Sequence, residues 1–322
     1  MNIYSLTFSS KKKMSNVTKK DFELLEEAAE KRGHKLKLIF ANDCQLQFSK
    51  KTLGIKVDGK KPKDLYALLI RANFLGTDLD FHSSIIKQFE LTGIDVINKH
   101  SAVIRAKNKV KTLQVLKQNK IPIPHTYVVR SAEHIDQVVK DIGKYPVIMK
   151  SFSGSHGLGV AIVESKRGLK SMIELIIEDE STPPLTIQEY IEESSGKDIR
   201  VFIVGGKIIA AMERIALARD EFRSNFHLGG EVKRVQLTPK EKKVALAATK
   251  ACELDMAGVD ILRSNKGPRI LEVNANPGLE GITKATGIDV AGAIIDYTIE
   301  RTEKERRKKL RKKKIKKALH IS

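Results

Sequence analysis

Two carboxylates and an amide in the last quarter of the chain have the types and the spacing to do chemistry. Glu272 and Asn274 are separated by one residue within RILEVNANPG, residues 269–278. Alternate side chains of an extended strand share a face, so these two point the same way. Asp260 lies in the apolar run VDIL at 259–262, which predicts a neighbouring strand. Oxygen ligands on adjacent strands suit Mg²⁺. The same residues also allow an ordinary strand pair with solvated acids at its ends.

A glycine-rich loop, SFSGSHGLG, joins two predicted strands at 151–159. Gly154, Gly157 and Gly159 free the backbone to turn its N–H groups toward an anion. The order GxxGxG followed by a strand is not the dinucleotide fingerprint, which opens a helix, and it is not a Walker A loop. The loop therefore predicts either phosphate binding or a flexible strand connection.

Basic side chains near these segments suit phosphate recognition. Lys150 closes the strand before the loop, and Lys109 lies in the helix after the first predicted domain boundary. Two lysines beside a phosphate chain would neutralise it as point charges. Arg200 shares a strand face with Asp198, and Arg214 ends the following strand; a guanidinium group can bind a carboxylate or phosphate through two hydrogen bonds. The chain has 59 Lys and Arg residues, so simple solvation is the alternative interpretation.

A second loop, FRSNFHLGG at 222–230, is dense in hydrogen-bond donors. Arg223 and Asn225 could both face an oxyanion, and His227 is either a proton carrier or a structural residue. The sequence contains no GxSxG or HExxH motif and no paired catalytic cysteine. A site rich in Lys, Arg, Asn and carboxylates without a nucleophile favours phosphoryl transfer, in which the protein positions groups and stabilises charge.

The elements that must position these residues begin with alternating strand and helix signals over residues 1–98. This alternation predicts a doubly wound parallel sheet. Strands are predicted at 3–8, 36–40, 65–70 and 94–97, with a helix at 19–32. One helix is predicted from Ser101 to Lys120, followed by a stiff joint at Ile121-Pro-Ile-Pro124.

The rest of the chain is predicted to form a central segment and a C-terminal segment. The central one has strands at 126–130, 146–151 and 159–164, a helix opened by Ser131 and a helix from 166 to 180. The C-terminal one has strands at 185–190, 198–204, 207–213, 258–263 and 269–274. Thr238-Pro239-Lys240-Glu241 has the cap, the proline and the glutamate of a helix start. A last helix from about residue 288 merges into a basic tail.

Composition limits the function classes. The chain has 322 residues, 41% of them hydrophobic and 30% charged, which indicates a globular protein of about two domains. Cys44 and Cys252 are far apart and imply neither a disulfide framework nor a zinc site. The sequence shows no signal segment and no apolar run long enough to span a membrane. We expect a soluble, cytoplasmic protein.

The tail carries half of the net charge. Residues 301–317 hold twelve Lys or Arg against two Glu, and the whole chain has a net charge of +20. A dense cationic run attracts polyanions such as RNA, anionic membranes or acidic peptides. A solvated helix end without a dedicated partner is the alternative.

Taken in order, the motifs resemble those of the ATP-grasp ligases, and within them of the RimK family, which adds glutamate to the C-terminal end of a small-subunit ribosomal protein. The resemblance covers about residues 95–300. Its longest stretches are EFRSN at 221–225 and EVNANPGLEGI at 272–282, with TGID at 286–289 after it.

The resemblance implies a fold of mixed α/β class. An N-terminal doubly wound, Rossmann-like pre-ATP-grasp domain would occupy residues 1–98. A central ATP-grasp lid would follow at 99–184, and a C-terminal ATP-grasp subdomain with the metal site at 185–300. The basic tail at 301–322 would complete the chain.

The resemblance also implies roles for residues. ATP contacts would come from Lys109, Lys150, Gly154, Gly157, Gly159, Gln188, Glu189, Tyr190, Ile191, Asp198, Arg223, Ser224 and Asn225. The stretch from Gln188 to Ile191 would lie along adenine, and Asp198 would meet the ribose. Asp260, Glu272 and Asn274 would bind two Mg²⁺ ions, or Mn²⁺, with Glu272 bridging. The candidate catalytic side chains are Arg200, Arg214, Arg223 and Asn225.

The implied reaction has two steps. A carboxylate attacks the γ-phosphorus of ATP and becomes an acyl phosphate, and the amine of glutamate then displaces phosphate. Two features depart from the family pattern: Leu228 replaces an arginine, and Ile70-Arg71-Ala72-Asn73 replaces Pro-Arg-Ile-Gly, so the N-terminal substrate wall differs. The tail is also more basic than the resemblance requires.

The acceptor and the amino acid therefore stay open. We expect an amino acid donor, with glutamate favoured, a peptide or ribosomal-protein carboxylate as acceptor, and RNA, ribosome or another polyanion as partner of the tail. One alternative is a ligase joining another amino acid to a small-molecule or peptide carboxylate. Another is a non-catalytic basic RNA- or ribosome-binding protein. The oligomeric state is open, with a homo-oligomer among the alternatives.

Overall fold

An N-terminal parallel sheet opens the fold. The computed structural model describes residues 1–12, 14–50, 52–71, 79–151, 159–177, 182–216 and 230–318. The sheet consists of β1 (Asn2–Thr7), β2 (Lys35–Phe40), β5 (Ala67–Arg71) and β6 (Asp95–Ile97), with helices α1 (Asn16–Glu30) and α2 (Leu79–Leu91). Its order is β2-β1-β5-β6, and every pairing is parallel. The alternating pattern of the sequence predicted this arrangement, which is confirmed.

An antiparallel hairpin of β3 (Cys44–Phe48) and β4 (Leu53–Val57) interrupts the alternation. It was not predicted. Its connection reads Ser49-Lys-Lys-Thr52 and lacks the Asn-Gly or Asp-Gly pair that marks the tightest hairpins.

The single helix predicted from Ser101 to Lys120 is two helices, α3 (His100–Lys107) and α4 (Lys109–Gln118). Asn108 separates them in an extended conformation, with φ −95° and ψ 105°. Its side-chain oxygen accepts a hydrogen bond from the N–H of Lys111 at 3.0 Å. Asparagine favours such N-cap geometry over a helix interior, so it starts the second helix.

The central sheet is antiparallel. It contains β7 (Thr126–Val129), β8 (Val147–Ser151), β9 (Val160–Val163) and β10 (Leu185–Glu189), and α5 (Ile135–Ile142) and α6 (Lys166–Ile176) cover one face. The order is β7-β10-β8-β9. β10 therefore completes the central sheet, although the prediction placed it at the start of the C-terminal segment. The alternation of a strand does not say which sheet it joins.

The C-terminal sheet has five strands and one tightly capped helix. The strands are β11 (Lys197–Val204), β12 (Lys207–Ile215), β13 (Glu231–Arg234), β14 (Met256–Leu262) and β15 (Arg269–Asn274), in the order β13-β12-β11-β14-β15. β13 was not predicted. Helix α7 (Pro239–Ala251) begins with the predicted capping box between Thr238 and Glu241, which is confirmed.

Two further helices, α8 (Glu280–Thr286) and α9 (Val290–Ala318), bind the N-terminal and C-terminal sheets together. One hydrophobic core contains Leu25 of α1, Phe202 of β11 and Ile294 of α9. Asn98, fully buried after β6, donates to the carbonyl oxygens of Met256 (2.7 Å) and Ala275 (3.0 Å). Its side-chain oxygen accepts from the N–H groups of Asp255 and Met256. No helix within the described residues is both long and apolar enough to cross a membrane.

Candidate functional site

One face of the C-terminal sheet carries a row of charged side chains. Asp260 of β14 lies opposite Glu272 of β15 on one side and Arg200 of β11 on the other. Val259, Ile261 and Val273 occupy the alternate positions and are buried in a separate core on the other face. The polar face is therefore set by strand alternation and by the register of three neighbouring strands.

Two arginines bind Asp260. Arg200 donates from Nε to Oδ1 (2.8 Å) and from Nη2 to Oδ2 (2.7 Å). Arg214 donates to Oδ2 at 2.8 Å and also binds Asp198 through Nε (2.6 Å) and Nη2 (2.7 Å). The predicted strand-face neighbours thus form one ion-paired network in which Asp198 and Asp260 are at most 7% exposed.

This network controls the charge of Asp260. Burial alone raises the pKa of a carboxyl group, but the two guanidinium groups hold the pKa of Asp260 below its usual value. The two carboxylates in turn raise the pKa of Arg214 against the effect of its burial. Asp260 therefore stays ionised although it is buried.

The residues predicted to bind metal lie on this face. Asp260 and Glu272 are paired in register, and Asn274 is two residues further along β15, opposite Gly258. Oδ1 of Asp260 accepts one of the three hydrogen bonds to this carboxylate, and a carboxylate has about four acceptor positions, so an oxygen position remains for a cation. Glu272 is exposed. Two carboxylates and an amide oxygen fit a hard divalent cation.

No cluster of three or more His, Cys, Asp or Glu side chains that could hold a metal occurs in the described part of the chain. The candidate set contains only two such residues and an asparagine. A cation here would therefore need the asparagine, water or phosphate oxygens to complete its coordination. That is the usual environment of a protein-bound Mg²⁺.

The central sheet presents Lys150 toward the same region. Nζ of Lys150 donates to Oε1 of Gln188 at 2.6 Å, and Gln188 donates to Thr126 at 2.8 Å. Desolvation lowers the pKa of Lys150, the charge of Glu272 raises it and the charge of Lys109 lowers it, with a net value of about 8. Lys150 is therefore within electrostatic reach of both Glu272 and Lys109.

Lys107 is a candidate that the sequence analysis missed. Desolvation lowers the pKa of Lys107, and the charge of Glu272 raises it. Lys107 ends α3, and Lys109 opens α4 after the break at Asn108. Because the sequence predicted one continuous helix here, it did not indicate that both lysines lie at helix ends.

The stretch predicted to contact adenine, from Gln188 to Ile191, is a β-strand only as far as Glu189. The backbone of β10 pairs with β7 and β8 up to Glu189, whose side chain accepts from the N–H of His125 at 3.0 Å. Tyr190 and Ile191 follow beyond the strand. The carbonyl oxygen of Ile191 accepts from the N–H of Ser194 at 3.1 Å.

Several predicted residues lie outside the described part of the chain: Gly154, Gly157, Arg223, Ser224, Asn225, His227 and Leu228. Gly159 is described and has φ +73°. A Cβ atom at this position would lie 3.0 Å from the Cβ of Ser151. The carbonyl oxygen of Gly159 accepts from the N–H of Ser151 at 2.8 Å. Glycine at 159 therefore closes the base of the loop, where a side chain would be strained.

The N-terminal sheet also reaches this region. Nη2 of Arg71, at the carboxyl end of β5, is paired with Asp21 of α1 and donates to the carbonyl oxygen of Pro277 at 3.0 Å. Asp21 accepts from the N–H of Leu279 at 2.8 Å. The sequence analysis named Arg71 in the N-terminal substrate wall but did not predict Asp21 or this bridge, because the contacts span more than 200 positions in the sequence.

Known structures share this arrangement of sheets. The ATP-grasp ligase PsnB, solved with minimal precursor, Mg and ADP, superposes with a TM-score of 0.71 at 19% identity over 93% of this chain and 97% of that chain. D-alanine–D-alanine ligase from Bacillus anthracis, solved with ATP, gives a TM-score of 0.66 at 20% identity over 95% and 99%. The fold is the ATP-grasp fold, as the sequence predicted.

Sequence comparisons narrow the class to a family. Residues 106–298 match the RimK-like ATP-grasp domain, and residues 12–103 match the RimK PreATP-grasp domain. A protein of Aliivibrio fischeri (strain MJ11) named "Probable alpha-L-glutamate ligase" is 40% identical over 284 residues, which cover 88% of this chain and 92% of the relative. One of the same name from Picosynechococcus sp. (strain ATCC 27264 / PCC 7002 / PR-6) is 39% identical over 274 residues, 85% and 89% of the two chains. The chain belongs to the RimK-like ATP-grasp family and is an ATP-dependent, ADP-forming carbon–nitrogen ligase.

Proposed function

We propose that this ligase joins the amine of L-glutamate to a carboxylate of a peptide or protein, through an acyl phosphate. The observation that carries the proposal is the pairing of Asp260 and Glu272 on one strand face, with two arginines bound to Asp260 and with Lys150 of the central sheet within electrostatic reach of Glu272. Cations on one sheet and ionised oxygens on the other suit a metal-bound triphosphate between them.

Each group of residues would do a distinct part of the work. Lys109 and Lys150 would neutralise phosphate oxygens, the backbone of Tyr190 and Ile191 would pair with adenine, and Asp198 would meet the ribose. Asp260, Glu272 and Asn274 would hold two Mg²⁺ or Mn²⁺ ions. Such ions screen the repulsion between the triphosphate and an incoming carboxylate. Arg200 and Arg214 would keep Asp260 ionised and oriented.

The chemistry balances without a protein nucleophile. An oxygen of the acceptor carboxylate bonds to the γ-phosphorus, and the bond to the β-phosphate oxygen breaks to release ADP. The neutral amine of glutamate then attacks the acyl carbon, and phosphate leaves. The amine proton goes to phosphate or solvent. Arg223, Ser224 and Asn225 would hold the phosphate end, and closure of the glycine-rich loop would exclude water.

Structural neighbours that were solved with bound peptides favour a peptide or protein acceptor. PsnB is described with precursor peptide, and the macrocyclase MdnC from Microcystis aeruginosa MRC, with a TM-score of 0.66 at 19% identity, is described bound with precursor peptide MdnA. A ribosomal protein C-terminus is the acceptor that the resemblance to the RimK family suggests. A second candidate is a small-molecule acceptor, for which D-alanine–D-alanine ligase is the structural precedent.

The basic tail would select the acceptor by charge. Arg301 pairs with Asp95 and Asp255, Lys309 donates to the carbonyl oxygen of Gly93 at 2.7 Å, and Arg306 lies 4.4 Å from the ring centre of Tyr66. Gly93 and Tyr66 precede β6 and β5. The tail therefore runs past the amino ends of these strands, about 16 Å along β5 from Arg71. It would capture RNA or an acidic, ribosome-associated acceptor without lining the reaction site.

A coupled assay tests the proposal. Wild-type protein is incubated with ATP, Mg²⁺, L-glutamate and acceptor peptides ending in different residues, and ADP release and peptide mass are followed together. We expect ADP release that depends on both substrates and a peptide mass increase of one or more glutamyl residues.

Glu272→Ala should abolish this turnover, while Glu300→Ala, which removes an exposed carboxylate of α9, should leave it unchanged. Turnover of Glu272→Ala at the wild-type rate would contradict the proposed metal face. Ligation of another amino acid, or of small carboxylates only, would establish the second candidate.

A further inference from the structure

Arg71 occupies the point of the N-terminal sheet where parallel α/β folds bind ligands. From β1 the chain crosses to β2 on one side, and from β5 it crosses to β6 on the other, so β1 and β5 flank the switch in strand order. Ligands of such sheets bind beyond the carboxyl ends of the strands at this switch. Arg71 is the last residue of β5 and lies in register with Thr7, the last residue of β1.

Within the described part of the chain, the guanidinium group of Arg71 makes its hydrogen bonds through one nitrogen. Nη2 is paired with Asp21 and donates to the carbonyl oxygen of Pro277. Nη1 is buried and has no hydrogen-bond partner among the described residues, and the whole residue is 5% exposed. A buried charged donor without a partner destabilises the folded state more than a neutral one does. A bound anion would remove this cost.

The position of Arg71 relative to the metal face is also defined. Pro277 follows Asn274 by three residues, so their Cα atoms are separated by at most about 11 Å. Arg71 touches Pro277 directly. A substrate of amino acid size that contacts Nη1 can therefore place its other end near the side of β15 that carries Glu272 and Asn274.

We propose that Nη1 of Arg71 binds a non-reacting carboxylate of a substrate, and thereby positions that substrate for the amide-forming step. This inference rests on the proposed function for the identity of the substrate. The carboxylate belongs either to the amino acid donor or to the acceptor, and both sources have the same recognition chemistry. A planar guanidinium suits it because one edge can bind Asp21 while the other binds the ligand.

Arg71→Lys tests the proposal because lysine keeps the charge toward Asp21 but cannot present a second edge. Arg32→Lys is the matched control: Arg32 also joins α1 to the C-terminal region, through Asp289 (3.2 Å) and Asp296 (2.6 Å), but far from the strand switch. KM is measured separately for glutamate, the acceptor and ATP. For Arg71→Lys we expect a tenfold or greater rise in KM for one carboxylate substrate, with KM for ATP within twofold of the wild type. The control should change none of the three values.

Melting temperatures are measured for each variant. If Arg71→Lys does not fold, Arg71→Gln, which keeps N–H donors toward Pro277, replaces it. KM values for glutamate and acceptor that both stay within twofold of the wild type would overturn the proposal, as would an equal rise in KM for ATP.

Calorimetric titration with L-glutamate in the presence of ADP and Mg²⁺ separates this inference from the proposed function. Glutamate binding that is lost in Arg71→Lys supports the site even when the wild type forms no amide. Binding that is equal in the wild type and in Arg71→Lys, together with an unchanged KM for the acceptor, overturns it.

Discussion

Lys150 illustrates how the surroundings of one residue set both stability and binding. Burial, and to a smaller extent the charge of Lys109, lowers the pKa of its ammonium group from the ordinary value of 10.5 to about 8, although the charge of Glu272 acts in the opposite direction. Between these two values the unfolded chain binds more protons than the folded one. The contribution of Lys150 to the free energy of unfolding therefore rises with pH across this window.

The affinity for ATP should fall with rising pH, whereas the contribution of Lys150 to the free energy of unfolding rises. Because the triphosphate is attracted to the ammonium form, affinity for ATP should fall as pH rises through about 8. Lys150→Arg keeps the charge at all these pH values and should remove this part of the dependence. The dissociation constant of an ATP analogue, measured from pH 6.5 to 9, checks the expectation. An equally steep fall in wild type and variant would show that another group titrates.

Asn98 illustrates what one side chain does for neighbouring elements. It donates to two backbone carbonyl groups and accepts from two N–H groups, and so joins the end of β6 to β14 and to the segment after β15. Without it, three buried backbone groups and one partly buried N–H group lose this hydrogen bond. Each unsatisfied group costs about 1–3 kcal/mol, partly offset where water can enter.

Asn98→Ala should therefore lower the free energy of unfolding by about 3 kcal/mol or more. Asn119→Ala provides the control, because Asn119 is exposed and donates only to the carbonyl oxygen of Val115 within its own helix. Its effect should stay below about 1 kcal/mol. Urea denaturation of the three proteins compares them, and similar losses for both variants would contradict the role of Asn98.

At the scale of helices and strands, the sequence predicted features that depend on neighbouring residues. It did not predict features that depend on pairing between residues far apart in the chain. The capping box at Thr238 and the shared face of Glu272 and Asn274 follow from short-range rules of helix and strand geometry. The double arginine contact of Asp260 requires the register between strands 46 and 60 positions apart. The assignment of β10 to the central sheet and the bridge from Arg71 to Pro277 depend in the same way on topology.

Half of the net charge of the molecule lies in residues 301–317, at the end of α9. Along residues 303–314 every described side chain except that of Glu305 is exposed, and Leu310 is the one apolar residue of this stretch. Such a helix has no apolar face for a membrane surface. Its charge should act at long range and depend on salt.

Deletion of residues 303–322 should raise KM for a protein acceptor and flatten its dependence on ionic strength, with KM for ATP unchanged. The triple substitution of exposed Lys60, Lys61 and Lys63 by Gln is the control for a general loss of charge. Acceptor kinetics at 50 to 300 mM salt provide the measurement. Identical salt slopes for the wild type and the truncated protein would rule out capture by the tail.

The anchoring of α9 has a mechanical consequence. Arg32 ties α1 to Asp289 and Asp296, Arg301 ties α9 to Asp95 and Asp255, and the N-terminal and C-terminal sheets bury one core between them. These two parts therefore form one continuous body. The segment that leads into the central sheet is attached to it where the N–H of Ile270 donates to the carbonyl oxygen of Pro122 at 2.8 Å. Because Lys150 belongs to the central sheet and Glu272 to the C-terminal sheet, any change in the angle between the two sheets would alter the charge environment of the Lys150 ammonium group.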